Sequence, residues 1–281
     1  MKKPGVNDIM NKKQYKKAII HFSLIVISIV VMIPIYWVIK TSLTGENIYN
    51  YPPSLTPVNP HIYYFVDVYY WIPFARYFFN SLVVSAIAVL SNVVVNSMAG
   101  YSLSRSFRGK KVMILFFLGA IMIPFQTTII PAFLITKFLG LLDSHMGMAL
   151  PLMSVIICIF VFKNTFEAIP MSLSDSARID GLPEWKMLYK IMLPLSQSAI
   201  ATNVILSFLY SWNSFMWPLI IIRDSSMQTL PLGLSRFLSA FEQTSGQVYA
   251  FSILTVAPVI LVFLLSQKAF IESMVTSAVK G

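Results

Sequence analysis

Few residues in this chain could do covalent chemistry. There are three scattered histidines, His21, His61 and His145, and one cysteine, Cys158, set in an apolar run. One cysteine supports neither an internal disulfide nor a cysteine-held metal cluster, and the H-E-x-x-H pattern of a zinc protease is absent. No G-x-S-x-G nucleophile elbow occurs. A phosphate-cradling loop needs G-x-x-x-x-G-K-[ST]; around Gly109-Lys110, the only Gly-Lys pair, Ser104 stands in the first glycine position and Lys111 in the hydroxyl position. The chain reads as neither an enzyme nor a holder of metal or cofactor.

What remains is polar chemistry inside apolar segments. Tyr210, Ser211, Trp212, Asn213, Ser214 and Trp217 crowd one of them. Gln126, Thr127 and Thr128 lie between Pro124 and Pro131, and Asn92 and Asn96 share a helical face at i, i+4. Aromatic faces, amides and hydroxyls together can bind a polar solute. Prolines break a helix where it lines a cavity. Two readings stand side by side. One is hydrogen bonding between packed membrane helices. The other is a solute pathway lined by Gln126, Thr128, Tyr210, Trp212, Asn213 and Trp217.

The elements that position these groups follow from composition. The 281 residues are 57% hydrophobic and 11% charged, with a mean hydropathy of +0.72. A soluble domain carries about 25% charged residues. There is too little polar surface here to cover a globule in water. Uncharged runs occupy 18–39, 47–66, 77–104, 112–136, 144–162, 191–222 and 243–267. A membrane-crossing helix needs about 20 apolar residues. The run 47–66 holds four prolines and three asparagines and cannot keep an unbroken helical ladder. Six spans remain, at about 18–39, 79–103, 112–134, 145–163, 197–221 and 248–269.

Basic residues set the orientation. The N-terminus, 104–111, 163–196 and the C-terminus together carry 16 of the 21 Lys and Arg residues; Lys40, Arg76, Lys137, Arg223 and Arg236 fall on the other side. The positive-inside rule places both termini in the cytoplasm. The net charge of +10 is then a topology signal rather than a nucleic-acid patch. The first apolar stretch is too long for a signal-peptide core and lacks a small-x-small cleavage site, so it reads as a retained span. Residues 1–17 form a basic cytoplasmic N-terminus without apolar period, at the anionic lipid surface or disordered. A six-helix transmembrane domain covers 18–281.

The cytoplasmic loop 164–196 contains the most polar ordered stretch, SLSDSARIDGLPEWKMLYKIMLPL at 172–195. Ser172 and Asp175 form a capping-box-like start. Leu173, Ala177 and Asp180 share a face, Gly181 ends the helix, and Pro183 with Glu184 opens a second one. On that helix Trp185, Leu188, Ile191, Met192 and Leu195 make an apolar face. A loop this long with caps at defined places suits a docking element.

Asp175-Ser176-Ala177-Arg178-Ile179-Asp180-Gly181, followed by Leu193-Pro194, resembles the E-A-A-x-x-D-G…L-P loop of ABC-importer permeases. AGYSLSRSFRGKK (99–111), MIPFQTTIIPAFLITKFLGLLDS (122–144), SWNSFMWPLI (211–220), TLPLGL (229–234) and TSAVKG (276–281) resemble further segments of its carbohydrate branch, in order. Asp175 stands for the usual Glu and Ser176 for the first alanine, and SGQVYA (245–250) lacks the Trp-Gly often found there.

The resemblance implies an all-α integral membrane protein with six transmembrane helices and a type I ABC-importer permease core in a bacterial or archaeal cell membrane. It implies a sugar permease subunit paired with a second permease and with two cytoplasmic ATPase copies, which bind ATP and Mg. An extracytoplasmic solute-binding protein would deliver the sugar and touch at least one of the loops at 40–77 and 222–246, although the aromatics of the first also suit the water–lipid boundary. Leu173, Asp175, Ala177, Asp180, Gly181, Leu182, Leu193 and Pro194 would form the coupling element seated in an ATPase groove. A self-sufficient transporter or channel is the rival reading. It would expect ionisable residues within the spans, whose centres lack Asp, Glu, Lys and Arg.

Overall fold

The computed structural model describes residues 6–45, 52, 54–240 and 246–278, with side chains for 15–45, 52, 54–239 and 246–267. Lys2, Lys3, Lys280 and the last residues of TSAVKG lie outside them. The helices are α1 (Val6–Ser42), α2 (Tyr63–Trp71), α3 (Phe74–Ser104), α4 (Lys110–Ile121), α5 (Phe125–Phe138), α6 (His145–Ala149), α7 (Ile156–Glu167), α8 (Met171–Ile179), α9 (Glu184–Met187), α10 (Gln197–Trp212), α11 (Met216–Ile221), α12 (Leu230–Ala240) and α13 (Gly246–Ala278). Short 3₁₀ turns cover Leu150–Leu152, Pro194–Ser196 and Ser225–Met227, and a π turn covers Leu188–Met192. No strand occurs among the described residues.

Among the described residues, three helices are long and apolar enough to cross a membrane: Tyr15–Ser42 of α1, Phe74–Ser104 and Gly246–Gln267 of α13. Three more crossings are possible if bent pairs count as one: α4 with α5 (97°), α6 and its 3₁₀ turn with α7 (53°), and Glu184–Met192 with Pro194–Trp212 (45°). The spans expected at 112–134 and 145–163 each contain one of these bends; the third bent pair runs from 184 to 212 and so begins before the span expected at 197–221, which is itself interrupted after Trp212. Pro124, extended at ψ 137°, breaks the first. In the third, α10 ends at Trp212, where the Asn213 amide donates to Leu209 O at 2.9 Å. The stretch YYFVDVYYW, expected in an outer loop, is α2. Residues 6–17, read as lying at the anionic lipid surface or disordered, continue α1 as helix.

The chain divides into two units, Met1–Val68 with Glu242–Ile253, and Tyr69–Phe241 with Leu254–Gly281. In the first, none of the most apolar stretch of α1 is buried. Its end is different: Lys40, Thr41, Ser42 and Thr44 are buried. The Thr44 hydroxyl donates to Lys40 O at 2.7 Å, and the Lys40 ammonium lies 5.0 Å from the Trp37 ring centre. Gly45 N–H donates to Val58 O at 2.9 Å, and His61 stacks on Tyr63. The Gln247 amide donates to the Asp67 carboxylate at 2.9 Å.

The second unit is organised around α3, which packs against α6, α7, α10 and α12. Its buried positions recur every three or four residues, as one helical face requires, and many are small or polar: Asn80, Ser81, Ser85, Ala88, Asn92, Asn96, Ser97 and Gly100. At Gly100 a Cβ would lie 2.6 Å from Phe162 Cβ and 2.8 Å from Ile159 O, so glycine alone lets α3 and α7 cross this closely. The asparagines hold the interrupted fourth crossing. The Asn92 amide donates to Leu152 O at 2.7 Å and its Oδ1 accepts from Val155 N–H at 2.6 Å. Asn96 Oδ1 accepts from Ser154 Oγ at 2.8 Å. These side chains satisfy the backbone that leaves helical geometry between the 3₁₀ turn and α7. Asn92 and Asn96 are packing residues.

Asn92→Leu leaves Leu152 O and Val155 N–H without partners, a loss of about 1–3 kcal/mol. A fall of roughly 5 °C in the thermal midpoint of the detergent-purified protein is expected. Ser91→Ala, whose hydroxyl bonds only to Ile87 O and Ala88 O of its own helix, should change the midpoint little. Equal midpoints for the two variants would contradict the stapling role.

Candidate functional site

The charged loop begins where Pro170, extended at ψ 131°, stops α7's continuation and opens α8. Helix α8 starts at Met171, one residue before the expected cap, and its N-cap Pro170 makes no side-chain cap bond. Ser172 sits within the first turn, and its carbonyl accepts from Ser176 Oγ at 2.9 Å. Asp175 does not cap the helix; its carboxylate takes Arg178 Nη1 at 3.1 Å. The capping-box expectation is corrected because the proline, not a hydroxyl, sets the helix start.

The helix ends as the sequence indicated. Gly181 has φ +77°, in the left-handed region that favours glycine, and a Cβ there would meet nothing within 4 Å. Leu182 N–H donates to Ala177 O at 2.9 Å and Gly181 N–H donates to Arg178 O at 3.0 Å. This pair of bonds is a Schellman closure, which satisfies two terminal carbonyls and fixes the corner. Leu182 packs with Ala177 in the core beneath. Asp180, Gly181 and Pro183 stand exposed at the tip.

The faces are distributed differently from expectation. Ala177 is buried against a core that includes Tyr101, Phe162, Phe166, Met187 and Met192, so it is unavailable to a partner. Leu182 and Leu193 also pack inward. The other side presents Met171, Leu173 and Asp175, with Ile179 at 87% exposure and Trp185 at 63%. Helical spacing shows that α8 has two faces but not which one the core takes. On the following segment Met187, Leu188 and Met192 are buried, whereas Trp185 and Leu195 point outward. The turn widens there: Leu193 N–H reaches Leu188 O at 2.9 Å, just before Pro194, which lacks an N–H and crowds the preceding turn. Pro194 itself is exposed.

Sequence reasoning missed the polar cluster behind α8. The Tyr101 hydroxyl donates to Glu184 Oε2, and Arg105 Nη2 donates to Tyr101 Oη at 2.8 Å and to Ser174 Oγ at 3.1 Å. The Arg105 guanidinium lies 4.6 Å from the Tyr101 ring centre. Arg178 Nε donates to Glu184 Oε1 at 2.9 Å, and that bond, then the carboxylate's charge, raises the Arg178 pKa. A cavity of about 430 Å³ adjoins the cluster, lined among others by Arg105, Lys110, Glu167, Ser174 and Arg178. The available signal was Tyr101 and Arg105 standing at i, i+4 on the last turn of a span.

The candidate pathway residues separate into two groups. Trp212 and Trp217 are buried. Trp212 Nε1 donates to Thr255 O at 3.0 Å and Trp217 Nε1 to Gly147 O at 2.9 Å. Gly147 O is the carbonyl that Pro151, four residues on, cannot bond. Both indoles are thus satisfied within the core. Gln126, Thr128, Tyr210 and Asn213 are exposed, and Tyr210 and Asn213 share one edge of α10. The Thr128 hydroxyl donates to Phe125 O at 2.9 Å. Phe125 meets Trp217 edge-on at 6.2 Å, which links α5 to α11. A shallow cavity of about 330 Å³ joins Asn213 to Phe215, Pro231, Leu234, Ser235 and Thr255, so α12 adds residues that the sequence had not offered.

Comparison with known proteins bears on this loop and the helices around it. The model of the family described as "Binding-protein-dependent transport system inner membrane component" matches residues 92–275. The chain is 37% identical over 207 residues to an arabinooligosaccharides transport system permease protein of Bacillus subtilis, covering 73% of this chain and 74% of that one. It is 32% identical over 202 residues to a lactose transport system permease protein of Rhizobium radiobacter, covering 71% and 74%. A solved bacterial ABC transporter that imports the acidic polysaccharide alginate has a chain of the same fold, with a TM-score of 0.80 at 22% identity, covering 96% of this chain and all of that one. With the family model spanning well over half its length, this chain belongs to the binding-protein-dependent transport system inner membrane components.

Proposed function

We propose that this chain is one half of the membrane pathway of an ATP-driven sugar importer. It pairs with a second permease and couples through α8 to a separate cytoplasmic ATPase that binds ATP and Mg. The observation that carries the coupling role is a short helix closed at a left-handed Gly181, packed on the core through Ala177 and presenting Leu173, Ile179 and Trp185 outward. A helix held this way transmits displacement, whereas a slack loop would absorb it. Exposed apolar side chains beside Asp175 and Asp180 suit a groove with an apolar floor and a basic rim.

Both termini lie in the cytoplasm on this reading, with α8 on the same side and the 54–62 segment outside. An extracytoplasmic binding protein delivers the solute, in keeping with the family description. Tyr210, Asn213, Gln126 and Thr128 are the pathway residues, with Trp212 and Trp217 shaping the wall from behind. Among relatives named for arabinooligosaccharide, lactose and sn-glycerol-3-phosphate transport, a neutral sugar suits this chain better than a phosphate, because the span centres offer no fixed cation. The α12 side of the shallow cavity extends the same surface.

Two outcomes follow. Gly181→Asp places a side chain on a left-handed backbone at a strain of about 1–2 kcal/mol and adds charge at the tip. Ile179→Glu puts charge on the outward face. Each should insert in normal amount, yet ATP-dependent sugar uptake should fall at least about tenfold, as loss of roughly 1.4 kcal/mol or more of docking requires. Full uptake in both would remove α8 from the coupling role. Orientation is checked with a membrane-impermeant maleimide. Leu55→Cys should label in intact cells and Ser176→Cys only after permeabilisation; the reverse pattern would invert the topology.

A further inference from the structure

The coupling helix is attached to the rest of the second unit in three ways. It is covalently continuous with the segments on either side, and Ala177 and Leu182 pack against the apolar core that includes Tyr101 and Phe166. The third attachment is the polar cluster at the cytoplasmic end of α3, where one tyrosine and one arginine hold both arms of the helical corner. Tyr101 reaches Glu184, at the start of the arm after Gly181. Arg105 reaches Ser174, on the arm before it, while also holding the Tyr101 hydroxyl. Arg178 then ties the two arms to each other through Glu184. Tyr101 and Ser174 are buried, and Tyr101 meets Phe166 of α7 edge-on at 5.9 Å.

Helix α3 carries polar anchors along its whole length. At the far end the Asn80 amide donates to Ser226 O and Gln228 O, both at 2.8 Å, and Ser81 Oγ accepts from Leu230 N–H at 2.8 Å. Those contacts hold the segment that leads into α12, beside the shallow cavity. Midway, Asn92 holds the break in the fourth crossing. A displacement of the corner that reaches Tyr101 and Arg105 therefore acts on one continuous helix bonded to both the break and the α12 entry.

We propose that Tyr101, Arg105 and Glu184 are positioning residues for transport, forming the link by which movement of the coupling corner drives α3. The inference rests on the coupling role proposed above. Without the link the corner moves against α3 instead of with it, and ATP is hydrolysed with less solute carried. The link is strong because one partner is a carboxylate and another a guanidinium, so each bond is charge-assisted.

The test uses the assembled importer, with its own partner permease, ATPase and binding protein, in proteoliposomes. ATP hydrolysis and sugar uptake are measured together. Tyr101→Phe removes one hydroxyl and keeps the ring under Arg105 and against Phe166. Uptake per ATP should fall about tenfold, the loss of one charge-assisted bond, while hydrolysis continues. Glu184→Ala should do the same, and Tyr101→Phe combined with Glu184→Ala should cost less than the sum of the two, since they share the Tyr101–Glu184 contact while each also loses one of its own, to Arg105 or Arg178. Glu184→Gln, which keeps an acceptor for the hydroxyl, should recover most of the ratio. A lower yield of complex with unchanged uptake per ATP would show a merely structural role and overturn the inference. Gly181→Asp is measured in parallel. If it uncouples while Tyr101→Phe does not, the link is wrong and the coupling role stands; if neither uncouples, the coupling role fails and the link with it.

Discussion

Every backbone N–H and C=O that leaves helical geometry inside a membrane needs a partner within the protein, because lipid offers none. The architecture here follows from how that demand is met. Prolines at 124, 151, 194 and 218 remove donors from segments of crossing length, and three of the crossings bend. Specific side chains then take up what the breaks release. Trp217 bonds the Gly147 carbonyl stranded by Pro151, Asn92 bonds both sides of the gap before α7, and Asn213 bonds Leu209 O at the end of α10. These are the polar groups that a reading for sugar contacts would single out. Trp217 and Asn92 are buried and serve the fold; Asn213 adds a second bond to Leu209 O while remaining exposed.

That accounting separates buried support from exposed polar groups. Trp212 and Trp217 are fully engaged behind the surface, whereas Tyr210, Asn213 and the α5 residues Gln126 and Thr128 remain exposed. The same logic applies at α8. Ala177 and Leu182 are spent on holding α8 to the core, leaving Leu173, Ile179 and Trp185 exposed. Exposed ion pairs such as Arg178 with Asp175 add little stability singly. Their value lies in fixing the geometry between two short helices.

Much of this was legible in the sequence. The count of apolar runs anticipated the six possible crossings, and Gly181 announced the corner because a left-handed residue favours glycine. Pro124 marked the sharpest bend, although its 97° was not foreseen, since a proline signals a break without its angle. The break at 153–155 contains no proline. It follows from Pro151 upstream and from Asn92, which is distant in sequence, so no local pattern shows it. The start of α8 was misassigned by one residue because Ser172 and Asp175 have the right spacing for a cap that Pro170 makes unnecessary. The Tyr101–Glu184 contact joins residues 83 positions apart and has no signature in either segment.

Site-specific photo-cross-linking from position 179 in the native membrane, with mass spectrometry of the adduct, is the most direct measurement. A photoreactive residue in place of Ile179 should capture a subunit carrying a G-x-x-x-x-G-K-[ST] phosphate loop, and the same residue in place of the exposed Phe116 should not. Cross-links from position 179 that reach only lipid or other copies of this chain would contradict the assignment of α8 as the ATPase-coupling helix.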